Sequence, residues 1–135
     1  MSEVRSCMGE KILVMDSDKD SQERTKSILN KAGYEAMTVE DRFSGLQALR
    51  EVGGFSAVLV QEEADGTNGL DMLQDIKAIS PEMPVVVSAA SWTPQALQCC
   101  TEVGAFFCMD KKTEDELLVK VLGKAVEEYK LSSKL

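Results

Sequence analysis

The feature that most limits the fold is a set of short runs in which consecutive residues are apolar: Ile12-Leu13-Val14-Met15, Ala57-Val58-Leu59-Val60 and Val85-Val86-Val87. A strand with one wet face alternates apolar and polar side chains. A strand that is apolar at consecutive positions is buried on both faces, which is the condition of a parallel sheet between two layers of helices. Parallel neighbours need crossover segments, and the chain supplies them.

After the first run, Asp16-Ser17-Asp18 favours a turn and a helix start, and a helix is expected from about Lys19 to Ala32, with Ile28, Leu29 and Ala32 on one stripe and Gly33 as its left-handed stop. Strands are also expected at Tyr34 to Val39, Phe55 to Val60, Pro84 to Ser88 and Ala105 to Met109. Helical spacing links them: Phe43, Leu46 and Leu49 before Gly53-Gly54; Leu70, Leu73 and Ile76 within Gly69 to Ile79; and Thr93 to about Glu102. Gln61 to Asn68 reads as a polar loop. The last helix carries Leu118, Val121, Leu122, Ala125, Val126 and Tyr129 on one stripe, with Glu114, Asp115 and Glu116 at the positive end of its dipole. Five strand–helix units and the right-handed crossover rule give one three-layer, doubly wound α/β domain over residues 10–130, with an N-terminal arm at 1–9 and a C-terminal tail at 131–135.

Composition narrows the function. Fifteen Lys and Arg against 23 Asp and Glu leave a charge of −8, which repels phosphate backbones and anionic headgroups, so neither nucleic acid nor membrane is an expected partner. Histidine is absent, and with it the commonest general base and metal ligand. Cys7, Cys99, Cys100 and Cys108 contain no C-x-x-C pair and read as buried or incidental thiols. With no apolar h-region near the start and no bilayer-length apolar run, the expected location is the cytoplasm.

In an open parallel sheet, sites form beyond the carboxyl ends of the strands. The residues there carry a family likeness. Ile12 to Asp20, Phe55 to Gln61, Asn68-Gly69-Leu70, Pro84 to Val87, and Gly104-Ala105 followed by Lys111 resemble, in order and spacing, the receiver (CheY-like) domain of bacterial two-component response regulators. The resemblance spans nearly the whole chain and implies a flavodoxin-like sheet in the order 2-1-3-4-5 with five helices. It also implies a pocket in which an aspartate at the third strand accepts a phosphoryl group beside Mg²⁺ held by carboxylates.

Carried over position by position, the resemblance places Asp16 at the first acidic position and Ser17 where the second, metal-binding acid belongs. Gln61 falls at the phospho-acceptor, Ala89 at the switch hydroxyl, Cys108 at the aromatic switch residue and Lys111 at the pocket lysine, with Lys112 in place of the proline after it. A carboxamide is a poor nucleophile, neutral oxygens at Ser17 and Gln61 hold Mg²⁺ weakly, and the methyl of Ala89 cannot bond a phosphoryl oxygen. The expectation is a degenerate receiver: no enzyme, no metal, no cofactor, and signalling through protein contacts in a two-component or phosphorelay-type system. Lys111 is expected to pair with Asp16 and with Glu63. The expected partner face combines the fourth helix, fifth strand and fifth helix near Trp92, Gln95, Cys99 and Lys112, and a homodimer is compatible with it.

Plainer readings stand beside these. Asp16-Ser17-Asp18 serves equally as a helix cap; Glu62, Glu63 and Asp65 read as a solvated acidic loop; Ser88 is expected to point away from the pocket; Phe106 to Met109 reads as buried strand; and Trp92 reads equally as core or interface anchor. The rival function is a receiver still phosphorylated on a displaced carboxylate such as Glu62 or Asp18. A nucleotide-binding domain is disfavoured, because Asp16-Ser17-Asp18 stands where a G-x-G-x-x-G turn would be.

Overall fold

The computed structural model describes residues 10–62 and 67–133. Its elements alternate: β1 (Lys11–Met15), α1 (Lys19–Lys31), β2 (Glu35–Val39), α2 (Arg42–Glu51), β3 (Phe55–Glu62), α3 (Thr67–Ile79), β4 (Val85–Ala89), α4 (Pro94–Val103), β5 (Phe107–Asp110) and α5 (Asp115–Ser133). The five strands form one parallel sheet in the order β2-β1-β3-β4-β5. This is the doubly wound architecture that the apolar runs demand.

Each strand feeds both layers through its two-residue alternation. Ile12, Val14, Ala57, Leu59 and Val86 join Leu29 of α1 and Leu118, Leu122 and Val126 of α5 in one core. Leu13, Met15, Val58, Val60, Val85 and Val87 join Ala48 of α2, Leu73 and Ile76 of α3 and Cys100 of α4 in the other. Gly33, with φ of 97°, ends α1 and returns the chain to β2, as expected of a residue without a Cβ penalty there.

Three expectations are corrected. β3 runs on through Gln61 and Glu62, which had been placed in a loop; both are buried, because each polar head finds a hydrogen-bond donor on a packed helix. α5 extends through Ser133, past the expected boundary at residue 130. Phe107, expected inside the sheet, is 44% exposed, on the strand at the edge of the sheet. The arm at 1–9, residues 63–66 and the last two residues lie outside the described residues, and with them Glu63, Asp65 and Cys7.

Candidate functional site

β1 and β3 lie side by side with Met15 beside Val60, so Asp16 and Gln61 leave neighbouring strand ends. Alternation turns both toward the α1–α5 layer, two residues beyond Val14 and Leu59. Asp16 is 1% exposed. Its Oδ1 accepts the Asp18 backbone N–H at 3.0 Å, and its carbonyl oxygen accepts the carboxamide N–H of buried Gln22. Its Oδ2 has no hydrogen-bond partner. Asp18 is the cap of α1, with Oδ1 accepting the Asp20 N–H at 3.2 Å. The Asp-Ser-Asp cluster thus divides its work: Asp18 starts the helix, Asp16 faces inward and Ser17 is exposed.

Gln61 is held from α1. Its Oε1 accepts the Ser21 hydroxyl at 3.1 Å and the Thr25 hydroxyl at 3.4 Å. Glu62, one residue on, turns to the opposite layer, where its Oε2 accepts the Gly69 backbone N–H at 3.0 Å. A helix N-terminus offers unpaired N–H groups and a partial positive charge, so a buried carboxylate is stabilised there. Glycine at 69 is a steric requirement: a Cβ would stand 2.6 Å from Val87 Cγ1, and α3 could not begin so close to β4.

The two sides of position 61 open into different cavities. One of about 340 Å³ is lined by Met15, Ser17, Arg42, Gln61, Glu62, Asn68 and Asp71, with Arg42 tied to Asp75 at 2.5 Å. The other, about 40 Å³, lies toward α1 and α5 and includes Ser21, Thr25, Gln61, Lys111 and Thr113. Gln61 therefore meets Ser17 on one side and Lys111 on the other. The expected Asp16–Lys111 pair is corrected: one carboxylate oxygen of Asp16 is spent on the β1–α1 turn and the other has no partner. Lys111 instead lines the smaller cleft, and its second expected partner, Glu63, lies outside the described residues.

At the switch positions, Ala89 is fully buried and is the register neighbour of Glu62, whereas Ser88 is the neighbour of Gln61. Two residues beyond Val86, Ser88 turns to the α1–α5 side, so the hydroxyl expected to miss the pocket is the one beside position 61. Cys108 is half-buried and packs against the α2–α4 core. The loop carrying Lys111 is fixed by its own backbone: Lys111 N–H donates to the Ala89 carbonyl at 2.9 Å and Thr113 N–H to the Asp110 carbonyl at 3.0 Å, while Asp110 Oδ1 accepts the Lys112 N–H at 2.8 Å.

Sequence reasoning missed three of these supports. Gln22 and Thr25 share the buried stripe of α1 with Leu29, and their helical spacing with it was the available signal; Asp110 followed by two lysines was a turn signal of the Asx type.

Among the described residues, the oxygens around position 61 do not make an octahedral cation site. Mg²⁺ asks for near-octahedral oxygens including carboxylate. Asp16 Oδ2 is an uncommitted carboxylate oxygen, but Gln61 Oε1 already accepts from two hydroxyls and Ser17 faces solvent. Among the described residues, no three His, Cys, Asp or Glu side chains converge as a metal site.

The response regulator receiver domain family matches residues 12–123. The chain belongs to that family. Among curated relatives, the sensory/regulatory protein RpfC of Xanthomonas campestris is 32% identical over 99 residues, 70% of this chain and 14% of its own length. A putative NtrX-like response regulator of Rickettsia bellii is 27% identical over 122 residues, 89% of this chain and 25% of its own. The receiver described here thus spans a seventh to a quarter of the length of these two relatives. A CheY-like receiver domain protein from Methanospirillum hungatei superposes with a TM-score of 0.84 at 19% identity, covering 92% of this chain and 98% of the other. NtrX of Brucella abortus gives a TM-score of 0.81 at 28% identity, over 94% and 29%. Among the described residues, no helix of the receiver is long and apolar enough to cross a membrane.

Proposed function

We propose that this receiver signals by protein contact, without a phosphorylation cycle on its third strand. The observation that carries the reading is Gln61: a neutral carboxamide stands one residue before the end of β3, and its oxygen accepts hydrogen bonds from Ser21 and Thr25. It offers no anion to attack a phosphoryl donor. The displaced carboxylates are otherwise employed, Asp18 at the cap of α1 and Glu62 at the N-terminus of α3. In this reading the domain is a non-enzymatic cytoplasmic module of a two-component or phosphorelay-type system.

Its partner is a protein that docks on the α4–β5–α5 face, or a second copy using the same face. Leu97, Phe107 and Leu117 are each more than 40% exposed on these elements, with Gln95, Cys99 and Lys112 also exposed beside them; apolar side chains set among polar ones are the usual anatomy of a docking patch.

The test is incubation with acetyl phosphate and Mg²⁺, followed by intact mass and hydroxylamine treatment. The wild type is expected to stay unmodified, and Gln61→Asp alone to stay unmodified as well, because Ser17 still leaves the cation short of charge. A hydroxylamine-sensitive phosphate on the wild-type chain would establish the rival, a displaced acceptor such as Glu62 or Asp18.

A further inference from the structure

The tryptophan between β4 and α4 closes an open sheet edge. Among the described residues, β5 pairs with β4 alone and no strand lies beyond it. Such an edge leaves backbone groups without strand partners. Trp92 supplies one: its indole N–H donates to the Met109 carbonyl at 2.9 Å, while its ring packs half-buried against the α2–α4 core. An indole N–H removed from water needs such an acceptor, and here the acceptor needs a donor too.

The contact is made where it constrains most. Only Ala90 and Ser91 separate the end of β4 from Trp92. The next residue, Thr93, is the cap of α4, with its hydroxyl accepting the Ala96 N–H at 3.1 Å, and Pro94 opens the helix. Fixing the indole on β5 therefore fixes the first turn of α4 relative to that strand. At the other end, Cys100 is fully buried in the core and its carbonyl accepts the Ala105 N–H at 3.0 Å. With both ends held, Leu97 and Phe107 are presented in one arrangement.

We infer that Trp92 is a latch: its hydrogen bond to the β5 backbone holds α4 and β5 in a single, preformed surface that does not depend on chemistry at the end of β3. The inference extends the phosphorylation-independent reading, and the two fail separately.

Trp92→Phe keeps an aromatic ring and removes the donor. Losing one hydrogen bond of ordinary strength raises local opening about fivefold. Hydrogen exchange read by mass spectrometry is therefore expected to quicken about fivefold across α4 and β5 in this variant, with β1 and β3 unchanged and the circular dichroism of the wild type retained. Exchange equal to wild type across α4 and β5 would overturn the latch. The native protein gives a second reading that requires no substitution, because Trp92 is the sole tryptophan. Acrylamide is expected to quench its fluorescence well below the free indole amide, and emission is expected to stay fixed when acetyl phosphate and Mg²⁺ are added. Quenching equal to the free amide would also overturn the latch. A phosphate adduct in the labelling experiment together with quickened exchange in Trp92→Phe would leave the latch standing and remove the phosphorylation-independent reading; no adduct with unchanged exchange would do the reverse.

Discussion

Cys99 and Cys100 are adjacent in sequence and differ completely in surroundings. Cys99 is exposed on α4 and Cys100 is fully buried. Burial, followed by the neighbouring Cys108 and Glu62, pushes the Cys100 thiol up to about 12; burial raises Cys108 as well. A thiol reacts as its thiolate, so alkylation of the native protein at mildly alkaline pH is expected to modify Cys99 and spare Cys100 until the chain is unfolded, as read by fragment mass spectrometry. Equal labelling of the two would show that α4 does not pack as described. Composition could not separate these neighbours; the helical phase of α4 does, because residues 96 and 100 face the sheet. The same limit hid Gln61 and Glu62. Hydropathy ends the strand where polarity begins, whereas the chain buries both because Ser21 and Thr25, 40 and 36 residues away, and the N-terminus of α3 satisfy them. Their acceptance of those donors is a tertiary fact that no local pattern carries.

The elements themselves were largely legible, since apolar runs and helical stripes are set by local periodicity. Their ends were less so, because ends depend on caps and close approaches. α2 illustrates the first dependence. Asp41 Oδ1 accepts the Ser44 N–H at 2.7 Å, and this bond holds the carboxyl below its ordinary value of 3.8. A carboxyl depressed in the folded state stabilises fully above the unfolded value and loses that contribution as pH falls through the folded one. Asp41→Asn is therefore expected to show a shallower loss of stability in the acid limb than wild type, measured by urea unfolding at stepped pH; parallel acid limbs would contradict the cap. α3 illustrates the second. Alanine favours a helix over glycine by about 0.5–1 kcal/mol, yet a Cβ at 69 meets Val87 Cγ1 at 2.6 Å, and overpacking a tight core costs about 1–3 kcal/mol. The clash outweighs propensity, so Gly69→Ala is expected to lower the urea midpoint. A raised midpoint would mean that α3 can lift from β4 without loss.

For the molecule as a whole, one sheet serves two cores, and β1 and β3 contribute alternate residues to both. Each layer packs on one face of the same strands, so the receiver scaffold rests on the two cores and not on the side chains at its functional end. That division explains how the family's architecture coexists here with a carboxamide at position 61, an alanine at 89 and a turn at 110–113 held by Asp110. The fold followed from strand order and resemblance. The Asp16–Lys111 pair did not, because the turn of β1 into α1 claims an Asp16 oxygen and Lys111 lines a different cleft. The central proposal is that the strand ends, with a carboxamide at position 61 and a hydroxyl at position 17, do not take up a phosphoryl group with its cation. Backbone amide NMR of the full chain, titrated with beryllofluoride and Mg²⁺ together, reads that site directly. The account predicts no saturable shifts at Asp16, Gln61, Ser88, Ala89 or Lys111; saturable shifts clustered on those residues would contradict it.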